Sequence, residues 1–157
     1  MAIKEKYTTA EWQEREHYYI EQVQRLIIPL EPNPQAVIAL ESAIDQILSE
    51  ALLEQGYLRR RYDKVTQDRK LNEKELHFTI KTDPTYQGLR LTTGDVESLI
   101  VTHLKNNPLP GYSQDVYTIQ NAVAYRLTFI EEVVRTLSEK KSSLMIISSM
   151  MKIESKI

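Results

Sequence analysis

A chain of 157 residues, 41% hydrophobic and 27% charged, has room for one domain with its own core, with or without an arm. Its lack of cysteine excludes disulfides, thiolate nucleophiles and cysteine-based zinc sites. The net charge of −2 conceals a segregation: residues 1–58 carry −6, 59–81 carry +4, 82–139 carry −3 and 140–157 carry +3.

With only 4 glycines and 6 prolines, few positions suit tight turns, so long helices are expected. "MAIKEKYTTAEW" holds no apolar core of signal-peptide length, and "LMIISSMM" is far shorter than the ~20 residues of a membrane span. A soluble, cytoplasmic protein without a membrane partner is the expectation.

"TTAE" at 8–11 reads as a capping box, Thr8 accepting from the helix and Glu11 reaching back. Trp12, Tyr19, Val23, Leu26 and Leu30 then form one helical stripe, ended near residue 28 by Pro29 and "EPNPQ". Residues 1–32 are therefore expected to be an N-terminal helix or arm, and 33–157 the main helical domain. Asn33 before Pro34 marks the start of a second helix. Its stripe runs Val37, Leu40, Ile44, Ile47, Ala51, Leu58, Val65, with Leu48 and Leu52 widening the face. A helix from 34 to 70 would be roughly 55 Å long, with Gly56 its weak point.

Residues 72–92 are ambiguous. "HFTIKTDPTYQGLRLTT" alternates weakly around "DPTYQG" and fits a short β-hairpin or an irregular connector equally. Thr92 to Asp95 gives a second box-like cap, and Val96, Leu99, Ile100, His103 and Leu104 share one face of the helix that follows. After the break at "NNPLPGY", Ser113 is expected to cap a last helix. Its 3-4 stripe includes Leu127, Ile130, Val134, Leu137 and Leu144, the periodicity of a helical hairpin or coiled coil. Two long helices in so short a chain point to burial against further copies, so this stripe is assigned to homo-oligomerisation. The fold expected is mainly α: long hairpin or coiled-coil-like helices, a short central connector, and an oligomer.

No pattern points to chemistry. His17, His77 and His103 lie in separate segments with no metal-ligand spacing, and the glycines at 56, 88, 94 and 111 form no phosphate loop. Glu41, Asp45 and Glu50 on one helix are most simply a solvated acidic face. The chain is read as a non-enzyme without cofactor or metal.

The strongest signal is "GYLRRRYDKVTQDRK" at 56–70. Arg59, Arg60 and Arg61 span roughly 200° of helix, too much to be absorbed by one neighbour. Lys64, Arg69 and Lys70 extend the positive surface, and Tyr57 and Tyr62 offer ring faces on which bases could stack. These eight residues are the candidate nucleic-acid site. Against this stands a structural role, with arginines paired to acids such as Asp63 and Asp68. At the C-terminus, helix-end lysines at 152 and 156 need no function, but Lys140 and Lys141 sit too far inside the helix for that account. Met145, Met150 and Met151 are read as packing residues.

The order "LRRRYDKVTQDRK", "LTTGDVESLIVTHLKNN" and "YTIQNAVAYRLTFIEEVVRTLSEKKSSLMIISSMMKIE", over roughly residues 35–154, resembles the phage recombination mediator family typified by UvsY. The Trp12 helix and the "NNPLPGY" break depart from that pattern. The resemblance implies a ring-like homo-oligomer in the host cytoplasm. It would bind single-stranded DNA, loosen single-strand-binding protein and help load a RecA-like recombinase. The rivals are a non-enzymatic helical component of a larger phage assembly or scaffold, and an adaptor binding one protein through its acidic N-terminal helix.

Overall fold

The computed structural model describes residues 6–31 and 33–156. The first five residues of the expected arm, Pro32 of the "EPNPQ" break and Ile157 lie outside them. Five helices follow in order: α1 (Thr9–Arg25), α2 (Pro34–Thr82), α3 (Pro84–Gln87), α4 (Thr93–Asn106) and α5 (Val116–Glu154). The fold is mainly α, with no strand among the described residues.

The local start signals act as their chemistry dictates. Thr8 and Glu11 close a capping box on α1, and Thr92 and Asp95 close another on α4. The Asn33 side chain accepts the Ala36 amide at 2.9 Å, with Pro34 in the first helical position. Two expectations are corrected. The cap of α5 is Asp115, whose carboxylate takes the Thr118 amide and hydroxyl at 3.0 and 2.6 Å; Ser113 lies outside the helix. The hairpin considered for 72–92 does not form, because α2 continues to Thr82. Extending an existing helix adds a hydrogen bond for each residue fixed, which outweighs the weak propensity of Thr79, Ile80 and Thr82. Ile80 is buried, while the Thr79 and Thr82 hydroxyls donate back to the carbonyls of Glu75 and Phe78. Pro84 then ends the helix, and Asp83 caps α3.

The chain divides into two compact units, with the divisions within α2 and α5. One comprises residues 58–126: the second part of α2, then α3, α4 and the start of α5. Its core is Leu58, Val65 and Ile80 of α2, Val96, Ile100 and Leu104 of α4, Leu109, and Val116, Ile119 and Val123 of α5. Gln120 reaches Thr66 and Tyr117 reaches Glu73, so α5 runs antiparallel to α2 here. Leu109–Pro110–Gly111–Tyr112 is a tight turn closed by the Tyr112 amide on the Leu109 carbonyl, with Gly111 at φ 83° where a side chain would be strained.

The other unit, residues 6–57 with 127–156, packs α1 against the first part of α2 and the second part of α5. Trp12, Tyr19 and Leu26 meet Val37, Ile44, Ile47, Ala51, Ile130, Val133, Leu137 and Leu144 in its core. The Trp12 and Phe129 rings stand edge to face at 6.1 Å. Thus Ile130, Leu137 and Leu144 of the expected oligomerisation stripe are wholly buried in the chain's own core, with Leu127 and Val134 half-buried. Each fully buried side chain of this size contributes about 1.5–3 kcal/mol. The methionines differ from expectation in the opposite sense: Met145 and Met150 are exposed, together with Ile146 and Ile153. Among the described residues no helix is long and apolar enough to cross a membrane.

Candidate nucleic-acid interface

The arginine run sits on α2 at the start of the 58–126 unit, and its members have different fates. Arg59 and Arg60 are exposed, whereas Arg61 is 5% exposed, its guanidinium 5.3 Å from the centre of the Tyr112 ring. Lys64 is exposed but bonded to Asp68 at 2.7 Å, one turn along. Arg69 is likewise held by Glu73 at 2.8 Å. Both acids also serve the start of α5 and the loop before it: Tyr112 donates to Asp68 at 2.5 Å and Tyr117 to Glu73 at 3.1 Å. Burial pushes Asp68 up, but hydrogen bonds from Lys64 and Tyr112 outweigh it and hold the carboxyl below the usual range. Burial and the bond to Asp68 push Tyr112 up to about 12; burial and the Glu73 charge do the same for Tyr117.

Of the two tyrosines chosen for stacking, Tyr62 is half-buried. Tyr57 belongs to the other unit, where its hydroxyl accepts the Lys6 amide at 2.9 Å. Lys70 alone among the expected lysines is exposed and bonded to no other described residue.

Lys70 begins a row that the sequence reading missed. Lys74, His77 and Lys81 follow at spacings of 4, 3 and 4, and none has a partner among the described residues. At about 100° per residue the four fall within roughly 60° of the helix surface, over about 16 Å of its length. Leu71 and Phe78 lie beside them, 55% and 68% exposed. Phe78 is four residues after Lys74 and three before Lys81, so an aromatic face sits between two free cations. The signal was present as spacing, but it becomes visible only when 72–82 is helical.

The row borders a cleft of about 520 Å³ between α2 and α4. Lys70, Glu73, Lys74 and His77 form the α2 wall, and Glu97, Ile100 and Val101 the α4 wall. Charge segregates with the units. Residues 58–126 hold 11 basic and 8 acidic side chains, or +3, and the rest of the chain holds 9 and 14, or −5.

Several other charged residues are engaged in packing the other unit. Lys140 donates to the Leu26 carbonyl at the end of α1 at 2.7 Å, and Lys141 pairs with Asp45 at 2.6 Å. The buried carboxylate of Glu54 accepts from Tyr7 at 2.6 Å and Arg15 at 3.5 Å, while Glu50 accepts from Tyr18 at 3.0 Å. The contacts of Glu50 and Glu54 tie α1, and Tyr7 ahead of it, to α2. Among the described residues no three His, Asp or Glu side chains converge to hold a metal ion.

No protein-family model matches the sequence, and neither a curated protein nor a solved structure is significantly similar to it.

Proposed function

We propose that this chain is a non-enzymatic single-stranded-DNA-binding protein whose strand lies along the second part of α2. Lys70, Lys74, His77 and Lys81 hold phosphates, with Arg59 and Arg60 extending the track, and Phe78 offers a base-stacking face. The observation that carries this reading is the row of four cationic or donor side chains, unpartnered and on one face, in the positive unit of a negative chain. Salt bridges consume Lys64 and Arg69, and Arg61 is buried, so these three contribute field but few direct contacts.

The finer reading is a recombination mediator that helps load a RecA-like recombinase onto DNA covered by single-strand-binding protein. It rests on the resemblance in element order. Self-association is assigned to the exposed Met145, Ile146, Met150 and Ile153, because Ile130, Leu137 and Leu144 of the α5 stripe are buried within the chain. A ring would multiply a modest positive patch by avidity. The scaffold reading keeps one specific support: much of both basic blocks is paired within the chain, through Asp68, Glu73, Asp45 and the end of α1.

Fluorescence anisotropy with labelled single-stranded and duplex DNA, over a series of salt concentrations, separates the two. Strand binding that weakens log-linearly with salt is expected. No binding to either DNA at low salt would favour the scaffold.

A further inference from the structure

The cleft beside the basic row has features that phosphate binding does not use. Its volume of about 520 Å³ falls within the ~300–1,000 Å³ typical of ligand pockets. Ile100, 6% exposed, and the half-buried Val101 give one wall an apolar surface. On that same wall Glu97 is exposed and accepts no hydrogen bond from any described residue. Glu73 on the other wall is already engaged by Arg69 and Tyr117. The opposed charges do not close on each other, since no ion pair among the described residues joins Glu97 to Lys70, Lys74 or His77.

The occupant that fits must present negative charge to the lysines, a flat apolar body to Ile100 and Val101, and an N–H donor to a free carboxylate. A nucleotide of a bound strand has all three. We propose that the cleft receives one base of that strand, and that Glu97 selects bases bearing an exocyclic amino group. This rests on the strand-binding reading above and adds a base preference to it. A carboxylate accepts from the amino group of cytosine but meets an acceptor in the O4 of thymine, where two lone pairs would face each other. The lysines hold phosphates common to every nucleotide, so they set affinity and leave the preference to Glu97.

The test uses the full chain and labelled oligomers of about ten nucleotides, oligodeoxycytidine and oligodeoxythymidine, at neutral pH. Wild type is expected to bind the cytidine oligomer about five- to tenfold more tightly. Glu97→Gln, whose amide can both donate and accept, should bring the ratio close to one. Lys74→Ala should weaken both oligomers and keep the ratio. Equal wild-type affinities, or a ratio unchanged in Glu97→Gln, overturns base selection and leaves strand binding standing. Binding of neither oligomer overturns both. Displacement of the oligomer by micromolar free deoxycytidine monophosphate would make this a mononucleotide site and also overturn the assignment.

Discussion

The guanidinium of Arg61 lies 5.3 Å from the centre of the Tyr112 ring, and the Tyr112 hydroxyl donates to Asp68 at 2.5 Å. The most buried arginine of the run therefore clamps the loop before α5 onto α2. Arg61→Ala is expected to lower stability by about 1–2 kcal/mol through lost cation–π and packing contacts. Tyr112→Phe should cost about 1 kcal/mol through the lost hydrogen bond. Denaturant midpoints of the two single variants and the double variant measure this, and their effects should not add. An Arg61→Ala protein of full stability that has lost strand binding would instead make Arg61 a DNA contact.

Alkaline pH provides a second test. Tyr112 and Tyr117 are pushed up to about 12, and Tyr7, Tyr18 and Tyr19 are also raised, burial being the largest cause in each. The folded protein thus holds these protons more tightly than the unfolded chain. Their contribution is complete below about pH 10 and is lost as pH rises from there. Asp68 has the opposite sign: its carboxyl is depressed, so its contribution is lost as pH falls through its folded-state value, below the ordinary 3.8. Melting temperature should therefore hold steady near neutrality and fall above about pH 10. Tyr112→Phe with Tyr117→Phe should make the alkaline fall shallower. An identical alkaline slope in that variant would contradict the account.

The two apolar surfaces of α5 should respond differently to charge. Leu137 is 0% exposed, so Leu137→Asp buries an unpaired carboxylate at a cost of several kcal/mol and should unfold the protein before any assembly is tested. Met150→Glu with Ile153→Glu alters positions 55% and 63% exposed and should leave helical content unchanged while lowering the sedimenting mass. A double variant that sediments as wild type does, or a wild type that sediments as a monomer, would overturn the assignment of self-association to this surface.

What could be read from the sequence was local. The Thr8–Glu11 and Thr92–Asp95 boxes and the Asn33–Pro34 start each close within a turn, so their chemistry is legible without a fold. The apolar stripes of α2 and α5 were legible as stripes, but not what covers them; within this chain α1 does much of that. Arg61 could not be separated from Arg59 and Arg60, because its partner Tyr112 is distant in sequence. The buried Glu54 was hidden for the same reason, its partner Tyr7 being 47 residues away. The basic row was lost through local propensity: the β-branched residues after His77 argued against helix, so the spacing of Lys70, Lys74, His77 and Lys81 was not read on one face.

Whether the row Lys70, Lys74, His77 and Lys81 holds a single strand by its phosphates is decided by a salt titration. Single-stranded DNA affinity is measured across a range of salt for wild type and for the variant combining Lys70→Ala, Lys74→Ala and Lys81→Ala. All three side chains are exposed and unpartnered, so the variant should keep its helical content and stability. Its affinity should fall, and the slope of log affinity against log salt should flatten by about 2, or about 0.7 per lost contact. A folded triple variant with wild-type affinity and slope would contradict the account.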